Sequence, residues 1–226
     1  VVSVPMDVPI AQAKRAFVTF ISTLVGVFLA IIIALNVMLR RIVINPVTRM
    51  AEIANNVSKG EPGTPEFDLF VKEVQREMTA KAGQKCTAIR RIMVPQAQVD
   101  AVIAAISARL AKTAIGNPRL EGTRMGALVS ASQKRDVLTK AALIGAEAER
   151  VFGDRDSFAV EGADKDKGAF VPPMLFHCAD PDNALRVHDT EAFGPVSTIM
   201  PYRDLPHAIQ LLNKGQGSLV ASVITN

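Results

Sequence analysis

The stretch KAGQKCTAIRRIMVP, residues 81–95, decides how the second half of this chain is interpreted. A single cysteine, Cys86, stands between Lys85 and the pair Arg90-Arg91, and RRIMVP has the composition of a short strand that ends at a proline. The thiolate is the reactive form of cysteine and cationic neighbours favour it, although alternate side chains of a strand point to opposite faces. The pattern by itself leaves two interpretations of Cys86 open, a structural cysteine and a nucleophile.

The segments around this stretch alternate between helical and extended patterns. A helix is predicted over 68–81, because Leu69, Val71, Val74 and Met78 recur at helical spacing with charged residues opposite. Helices are also predicted over 96–112, 130–152 and 205–215, and strands over 90–95, 169–176 and 218–225. This alternation predicts an α/β domain.

The composition argues against a nucleic-acid partner. Lys and Arg total 26 against 22 Asp and Glu, and much of this small excess flanks an apolar run near the start of the chain. Tyr202 is the only tyrosine and there is no tryptophan, whereas nucleic-acid binders combine basic patches with stacking aromatics.

Cysteine and histidine usage gives no sign of a metal site or a disulfide framework. Cys86 and Cys178 lie far apart and form no CxxC pair, which fits a reducing compartment. We expect Cys178 to be a packed small side chain. The histidines, which lack the paired spacing of a metal-binding helix, are His177, His188 and His207. No metal is predicted.

An uncharged apolar run occupies residues 16–39. At 1.5 Å per residue it gives a helix of roughly 36 Å, enough to cross a hydrocarbon core of about 30 Å. We therefore predict a single transmembrane helix in the inner membrane, preceded by an extracytoplasmic stub over 1–15. The alternatives of a buried core helix and a cleaved signal peptide are less consistent with its length and its lack of a polar stripe. The positive-inside rule favours a cytoplasmic C-terminal domain, because basic residues follow the run at Arg40, Arg41 and Arg49.

A short amphipathic helix is predicted after the apolar run. INPVTRMAEIANNVSKGE, residues 44–61, offers Pro46 as a helix start and apolar residues at the 3-4-3 spacing of a coiled coil. Together with the preceding apolar run, this segment resembles the first helix of a HAMP signalling module. The resemblance implies a HAMP-like helix and linker over 40–65 and a homo-oligomer formed through that helix. The acidic start of a second HAMP helix is not found after Phe67.

Two motifs in the second half resemble those of the aldehyde dehydrogenase superfamily. GQKCTAIRR, residues 83–91, is similar to its nucleophile motif, and TEAFGPV, residues 190–196, is similar to its downstream signature. Intervening segments such as GNPRLEGTRMG and GAFVPPMLF follow the family's order. The fold implied is a partial, α/β aldehyde dehydrogenase catalytic domain over 66–226, behind the transmembrane and amphipathic helices. Lys before the cysteine, Arg-Arg after it and VHDTEAFGPV resemble the family members of bacterial phenylacetate degradation, which implies a CoA-linked semialdehyde substrate.

The resemblance implies specific roles for three residues. Cys86 would be the nucleophile that attacks the aldehyde, Glu191 would hold the nicotinamide ribose, and Phe193 would abut the cofactor, which is NADP or NAD. The family's nucleotide-binding domain, general-base Glu and oxyanion-hole Asn precede the nucleophile, where this sequence has the apolar run instead. We therefore expect negligible NADP-dependent oxidation by this chain alone. Two other interpretations stay open: a membrane-anchored HAMP-type signalling protein, and a chimera of two unrelated fragments without function.

Overall fold

A computed structural model describes residues 7–39, 61–216 and 218–224, which fall into two compact units. The first unit contains one long helix, and the second contains every other helix and strand described below. The amphipathic helix predicted after the apolar run falls on residues 40–60 and lies outside the described residues.

The first unit is helix α1, Asp7–Leu39. Its segment Phe17–Leu35 has a mean hydropathy of 2.7 and exposed side chains, and by length and composition it could cross a membrane. Two hydroxyl groups of this segment bond to the helix backbone: Thr23 donates to the carbonyl of Thr19 at 2.7 Å, and Ser22 donates to the same carbonyl at 2.9 Å. The predicted apolar helix is thus confirmed as a helix, which begins at Asp7 within the predicted stub.

The second unit is a four-stranded sheet covered by helices. Its elements, in chain order, are α2 Pro65–Thr79, a 3₁₀ segment Ala80–Gly83, β1 Arg91–Pro95, a 3₁₀ turn Gln96–Gln98, α3 Val99–Leu110, α4 Ala131–Gly145, β2 Glu149–Phe152, β3 Met174–His177, α5 Arg186–Asp189, β4 Val196–Tyr202 and α6 Leu205–Asn213. The strand order is β1-β4-β3-β2. β4 pairs in parallel with both β1 and β3, and β2 is antiparallel to β3 at one edge. The predicted α/β class is confirmed.

Alternate residues of the central strands point to opposite faces of the sheet, and each face packs in a separate hydrophobic core. Ile199 packs with Ile92 and the buried sides of α2 and α3, whereas Met200 packs with Val137 of α4 on the other face. This division follows from the two-residue period of a strand. In α2 the buried face includes Phe67 rather than the predicted Leu69, which is 48% exposed.

The structure corrects three sequence expectations about secondary structure. The helix predicted to run to residue 152 ends at Gly145, because residues 149–152 pair with β3 as β2. β4, which begins at the last residue of the 190–196 motif, was not predicted. The strand predicted over 218–225 is wrong for residues 218–224, which form no strand and expose Leu219 by 70%. An apolar β-branched pattern becomes a strand only where a partner strand takes up its hydrogen bonds.

Candidate active site

Cys86 lies on an exposed loop between the 3₁₀ segment and β1. The chain enters this loop through three consecutive residues with left-handed backbone angles, φ 54° at Lys81, 52° at Ala82 and 69° at Gly83. Two of them are non-glycine residues, for which this conformation is unfavourable, so surrounding contacts must hold the turn in place.

The turn is held by a direct backbone contact with the second motif. Gly83 packs against the backbone of Gly194 and Pro195: a Cβ added at Gly83 would meet the Gly194 carbonyl and lie 2.9 Å from the Pro195 nitrogen. Beyond Cys86, the buried Ser197 hydroxyl donates to the carbonyl of Ile89 at 2.8 Å. Both ends of the Cys86 loop are therefore fixed to the segment that carries Glu191 and Phe193.

Two glutamine side chains connect this arrangement to the start of α4. Gln84 accepts a hydrogen bond from the Val129 amide at 3.1 Å, and Gln133 donates to the Phe193 carbonyl at 3.0 Å. Ser130 caps the helix by accepting from the Gln133 amide. Gly194 in turn packs on Val137, since an added Cβ would lie 2.6 Å from a methyl carbon of that side chain. These contacts join three segments distant in sequence.

Glu191 and Phe193 both present exposed side chains beside this junction. Among the described residues Glu191 makes no hydrogen bond or ion pair, so its carboxylate is open to a ligand. Phe193 has a positive φ of 51°, uncommon for an aromatic residue, and its side chain is 38% exposed. An exposed carboxylate and an exposed ring two residues apart in the chain have the chemistry that binds a ribose and a nicotinamide, so these residue types fit the cofactor that the resemblance implies.

The cationic neighbours of Cys86 in sequence have partners elsewhere. Lys85 pairs with Glu77 of α2 at 2.7 Å, and Arg90 donates to the Ser218 hydroxyl at 2.8 Å. Arg91 points to the C-terminal end of α6, where it donates to the Leu211 carbonyl at 2.8 Å. Burial, and then the charge of Arg90, lower the pKa of Arg91 to about 10. These three cations are close to Cys86 in sequence, but their contacts are with other groups and not with the thiol.

Cys178 has the environment expected of a packed side chain, which confirms that prediction. It is 1% exposed at the end of β3, and its amide donates to the Ile199 carbonyl at 2.9 Å. Burial raises the pKa of the Cys178 thiol. A raised pKa and a covered sulfur both oppose nucleophilic attack.

Buried histidines support the loop that follows Cys178. His188 hydrogen bonds through Nε2 to the Pro181 carbonyl at 2.8 Å, which makes Nδ1 the acceptor for Arg91 at 3.2 Å. His207 contacts Asp182 at 3.0 Å, and the Arg203 and His207 side chains lower the pKa of that carboxyl. Within the described parts of the chain no three His, Cys, Asp or Glu side chains converge as metal ligands.

Sequence reasoning missed the residues that join the two motifs. Gln84, Gln133 and Val137 act through side chains whose partners lie on other segments. Ser130, as a helix-capping residue, predicted the start of α4. The spacing of residues did not indicate which face of this helix lies against Phe193.

Comparison with known proteins gives a consistent result. The aldehyde dehydrogenase family model matches residues 64–226. The chain is 46% identical over 188 residues to a 3,4-dehydroadipyl-CoA semialdehyde dehydrogenase of Aromatoleum evansii, covering 83% of this chain and 36% of that protein. It is 43% identical over 102 residues to protein MaoC of Klebsiella aerogenes, covering 45% of this chain and 29% of the relative.

Solved structures agree with the sequence relatives. A betaine aldehyde dehydrogenase from Staphylococcus aureus in complex with NAD+ superposes with a TM-score of 0.57 at 30% identity, covering 65% of this chain and 28% of that one. A 1-pyrroline-5-carboxylate dehydrogenase from Thermus with bound NAD gives a TM-score of 0.56 at 28% identity, covering 65% of this chain and 27% of that one. The chain thus spans about a third of the length of these proteins. With the family model matched over most of its length, the chain belongs to the aldehyde dehydrogenase family.

Proposed function

We propose that this chain carries the nucleophilic cysteine for NAD(P)-dependent oxidation of an aldehyde to the acid, with Cys86 as the nucleophile. The observation that carries the proposal is the packing of Gly83 against Gly194 and Pro195. This contact holds the exposed thiol on the same structural junction as Glu191 and Phe193. Cys178 is an unsuitable nucleophile because it is buried.

The proposed chemistry starts with a thiolate at Cys86, formed by loss of the thiol proton to solvent. The sulfur attacks the aldehyde carbon, forming a C–S bond, and the carbonyl oxygen becomes an oxyanion that the Cys86 amide helps to hold. Conversion of the Cys86 thiohemiacetal to a thioester releases a hydride from this carbon, for which a bound nicotinamide cofactor would be the oxidant. Water then attacks the thioester, the C–S bond breaks, and the acid and the thiolate are released.

Two residues would hold the nicotinamide end of the cofactor. The Glu191 carboxylate would accept hydrogen bonds from the ribose hydroxyls, and the exposed Phe193 ring would contact the nicotinamide. The solved relatives described above contain NAD+, which supports a nicotinamide cofactor and leaves both NAD and NADP as candidates.

The proposed substrate class is a CoA-linked semialdehyde. Its support is the 46% identity to a dehydrogenase named for 3,4-dehydroadipyl-CoA semialdehyde. The chain spans 36% of that relative, and the residues for which we propose roles are the nucleophile and the cofactor contacts above.

Iodoacetamide labelling tests the nucleophile. In the full chain we expect Cys86 to react faster than a thiol placed at a neighbouring exposed position, because the proposed nucleophile lies on a loop whose backbone is fixed by the contact of Gly83 with Gly194. The matched control moves the thiol by one residue, to the exposed Thr87, in the double variant Cys86→Ala/Thr87→Cys. Labelled peptides from each protein would be quantified by mass spectrometry over a pH series.

Equal rates for thiols at 86 and 87 would contradict the proposal, since exposure alone would then explain the reactivity. Slow reaction at both Cys86 and Cys178 would instead favour the signalling interpretation, in which the domain keeps the fold without the chemistry. A second measurement follows reduction of NADP+ and NAD+ with a CoA-linked semialdehyde. Turnover that is lost in Cys86→Ala would support Cys86 as the nucleophile, and turnover that Cys86→Ala leaves unchanged would contradict it.

We also propose that α1 anchors the chain in the inner membrane with the second unit in the cytoplasm. The support is the uncharged, exposed segment Phe17–Leu35 and its mean hydropathy of 2.7. We expect alkaline carbonate to leave the chain in the membrane pellet, and Leu24→Asp/Leu29→Asp to release it, because charges at the bilayer centre are costly. Leu185→Asp, an exposed apolar residue of the second unit, is the matched control. Labelling of Cys86 in intact cells by a membrane-impermeant maleimide would contradict the proposed orientation.

A further inference from the structure

A pocket lies beside α4, and no residue of the Cys86 loop lines it. It has a volume of about 350 Å³, is partly open to solvent, and lies between α4 and the segment that joins β2 to β3. Lys134 and Leu138 of α4 form one side, and Phe158 and Phe170 of the joining segment form much of the other. This volume falls in the range of pockets that bind small organic molecules.

From this pocket we infer a binding site for a compact organic anion with an aromatic or apolar body, a function that does not depend on Cys86. The apolar part of the ligand would contact Leu138, Phe158 and the buried Phe170. Its anionic group would face the cationic side chains around the pocket. Apolar walls with a few directed polar groups are what small-molecule sites have in common.

The charges around the pocket favour an anion. Three cations line it, Lys134, Arg155 and Lys165, against two carboxylates, Asp156 and Asp166. Arg155 contacts the carboxylate of Asp156 at 3.3 Å, which leaves two lysines against the single carboxylate of Asp166 and an excess of one positive charge.

The ammonium groups of Lys134 and Lys165 contact neutral partners, which do not neutralise their positive charge. Lys165 donates to the Asp156 carbonyl at 3.0 Å and lies 4.2 Å from the centre of the Phe158 ring. Lys134 donates to the Gly168 carbonyl at 3.4 Å. Since an ammonium has three N–H donors, each lysine keeps donors for a ligand carboxylate.

The segment that joins β2 to β3 is hydrogen-bonded to the rest of the domain at Glu161. Residue Glu161 receives a hydrogen bond from the Asn117 amide and donates one to the Ile115 carbonyl, both at 2.8 Å. A pocket wall that is already ordered loses little conformational entropy on binding.

The pocket is distinct from the candidate active site, although both use α4. Gln133 and Val137 face the Phe193-Gly194 turn, while the next residues along the helix, Lys134 and Leu138, line the pocket. Successive helical residues are turned by about 100°, so the two faces are adjacent and separate.

A fluorine NMR titration tests the inference. The probe is 4-(trifluoromethyl)benzoate, and the matched neutral probe is 4-(trifluoromethyl)benzyl alcohol, which controls for general partitioning into apolar surfaces. With the full chain in phosphatidylcholine nanodiscs, we expect saturable binding of the benzoate with a Kd on the order of 1 mM, as its size suggests, and binding of the alcohol at least about fivefold weaker.

Variants of the two lysines locate the bound probe. Lys165→Gln and Lys134→Gln should each weaken benzoate binding about fivefold and leave the alcohol unchanged, because each removes one charged donor. The control is Lys140→Gln, on the same helix but paired with Asp136 and outside the pocket lining. Equal binding of the two probes, equal losses in Lys140→Gln, or no saturation up to about 10 mM would each overturn the inference.

Discussion

The two cysteines of this chain lie close to the same central sheet and differ in what surrounds them. Cys86 is on a loop held at one end by the backbone contact of Gly83 and at the other by the Ser197 hydroxyl, with its own side chain exposed. Cys178 follows β3 directly, is covered by the core, and has a thiol whose pKa burial raises. A fixed backbone combined with an open side chain is the arrangement that a nucleophile requires, and burial of the thiol removes it.

The supporting contacts of the two loops also differ in kind. Around Cys86, glycine backbones approach each other and glutamine side chains bind amide and carbonyl groups. Around Cys178, the partly buried Arg91 and the buried His188 and His207 hold the chain. The first loop should therefore respond to added side-chain volume, and the second to loss of charge or a change in protonation.

The largest expected effect is the slow reaction of the buried Cys178 in the folded chain compared with the unfolded chain. In a Cys86→Ser background, we expect Cys178 in the folded chain to react with iodoacetamide at least about a thousandfold more slowly than in urea, because a covered sulfur reacts only when the structure opens. Mass spectrometry of labelled peptides measures both rates. Native and unfolded rates within tenfold of each other would mean that the region around β3 opens readily.

The next effect concerns the contact that fixes the Cys86 loop. Gly83→Ala should lower the free energy of unfolding by about 3 kcal/mol, because the added Cβ meets the Gly194 carbonyl in a backbone conformation that alanine rarely adopts. Pulse proteolysis in urea measures the change.

Gly122→Ala is the matched control for this substitution. No atom lies within 4 Å of a Cβ added at Gly122, so a change within about 0.5 kcal/mol is expected. Similar losses for both variants would show that the contact of Gly83 with Gly194 is not what holds the turn.

A smaller effect is expected from the partly buried Arg91, which supports the loop after Cys178 through His188. Arg91→Met should lower the free energy of unfolding by about 2 kcal/mol, since it leaves the Leu211 and Leu212 carbonyls and His188 without their donor. The same urea experiment with Arg90→Met is the control. Arg90 donates to Ser218 at an exposed position, and its loss should have little effect. The hypothesis fails if Arg90→Met is as destabilising as Arg91→Met.

The smallest effect is a pH dependence from His188. Burial, opposed in part by the hydrogen bond to Pro181, lowers the pKa of His188 below its ordinary 6.5, and Arg91 and Lys214 act in the same direction as burial. The unfolded chain therefore binds a proton first as pH falls, so the contribution of neutral His188 is complete above about pH 6.5 and declines below it.

The midpoint of urea unfolding, measured from pH 7.5 to pH 5, tests this sign. His188→Gln, whose side chain can still accept from Arg91 and donate to Pro181, should flatten the decline. His177→Gln serves as the control, because His177 is only partly buried and lies outside these hydrogen bonds. A decline of equal slope in His188→Gln and the original chain would assign the pH dependence to other groups.

Much of the fold could be predicted from local patterns. Helical spacing located α2 and α3, the Ser130 cap located the start of α4, and the β-branched run before Pro95 located β1. The errors came where pairing decides the outcome. Residues 149–152 form a strand because β3 lies beside them, and residues 218–224 form none.

The candidate site was predictable in part for the same reason. The two motifs name Cys86, Glu191 and Phe193, and their roles in catalysis stay predictions. The sequence gives no indication that Arg91 turns away from Cys86 to the end of α6, or that Lys85 pairs with Glu77. Neighbours in sequence were therefore a poor guide to the electrostatic environment of the thiol.

By itself the amino-acid sequence determined the α/β class of the second unit, the apolar character of α1 and the identity of the three candidate site residues. Periodicity and motif carry that information because they depend on residues close together in the chain. Only the tertiary structure decided that the motifs meet at Gly83 and Gly194, that Gln84 and Gln133 join them to α4, and which cysteine is covered. The glycine and glutamine contacts join segments 45 or more residues apart, and the cover over Cys178 comes from packing of β3 and its neighbours, so local sequence holds no signal for either.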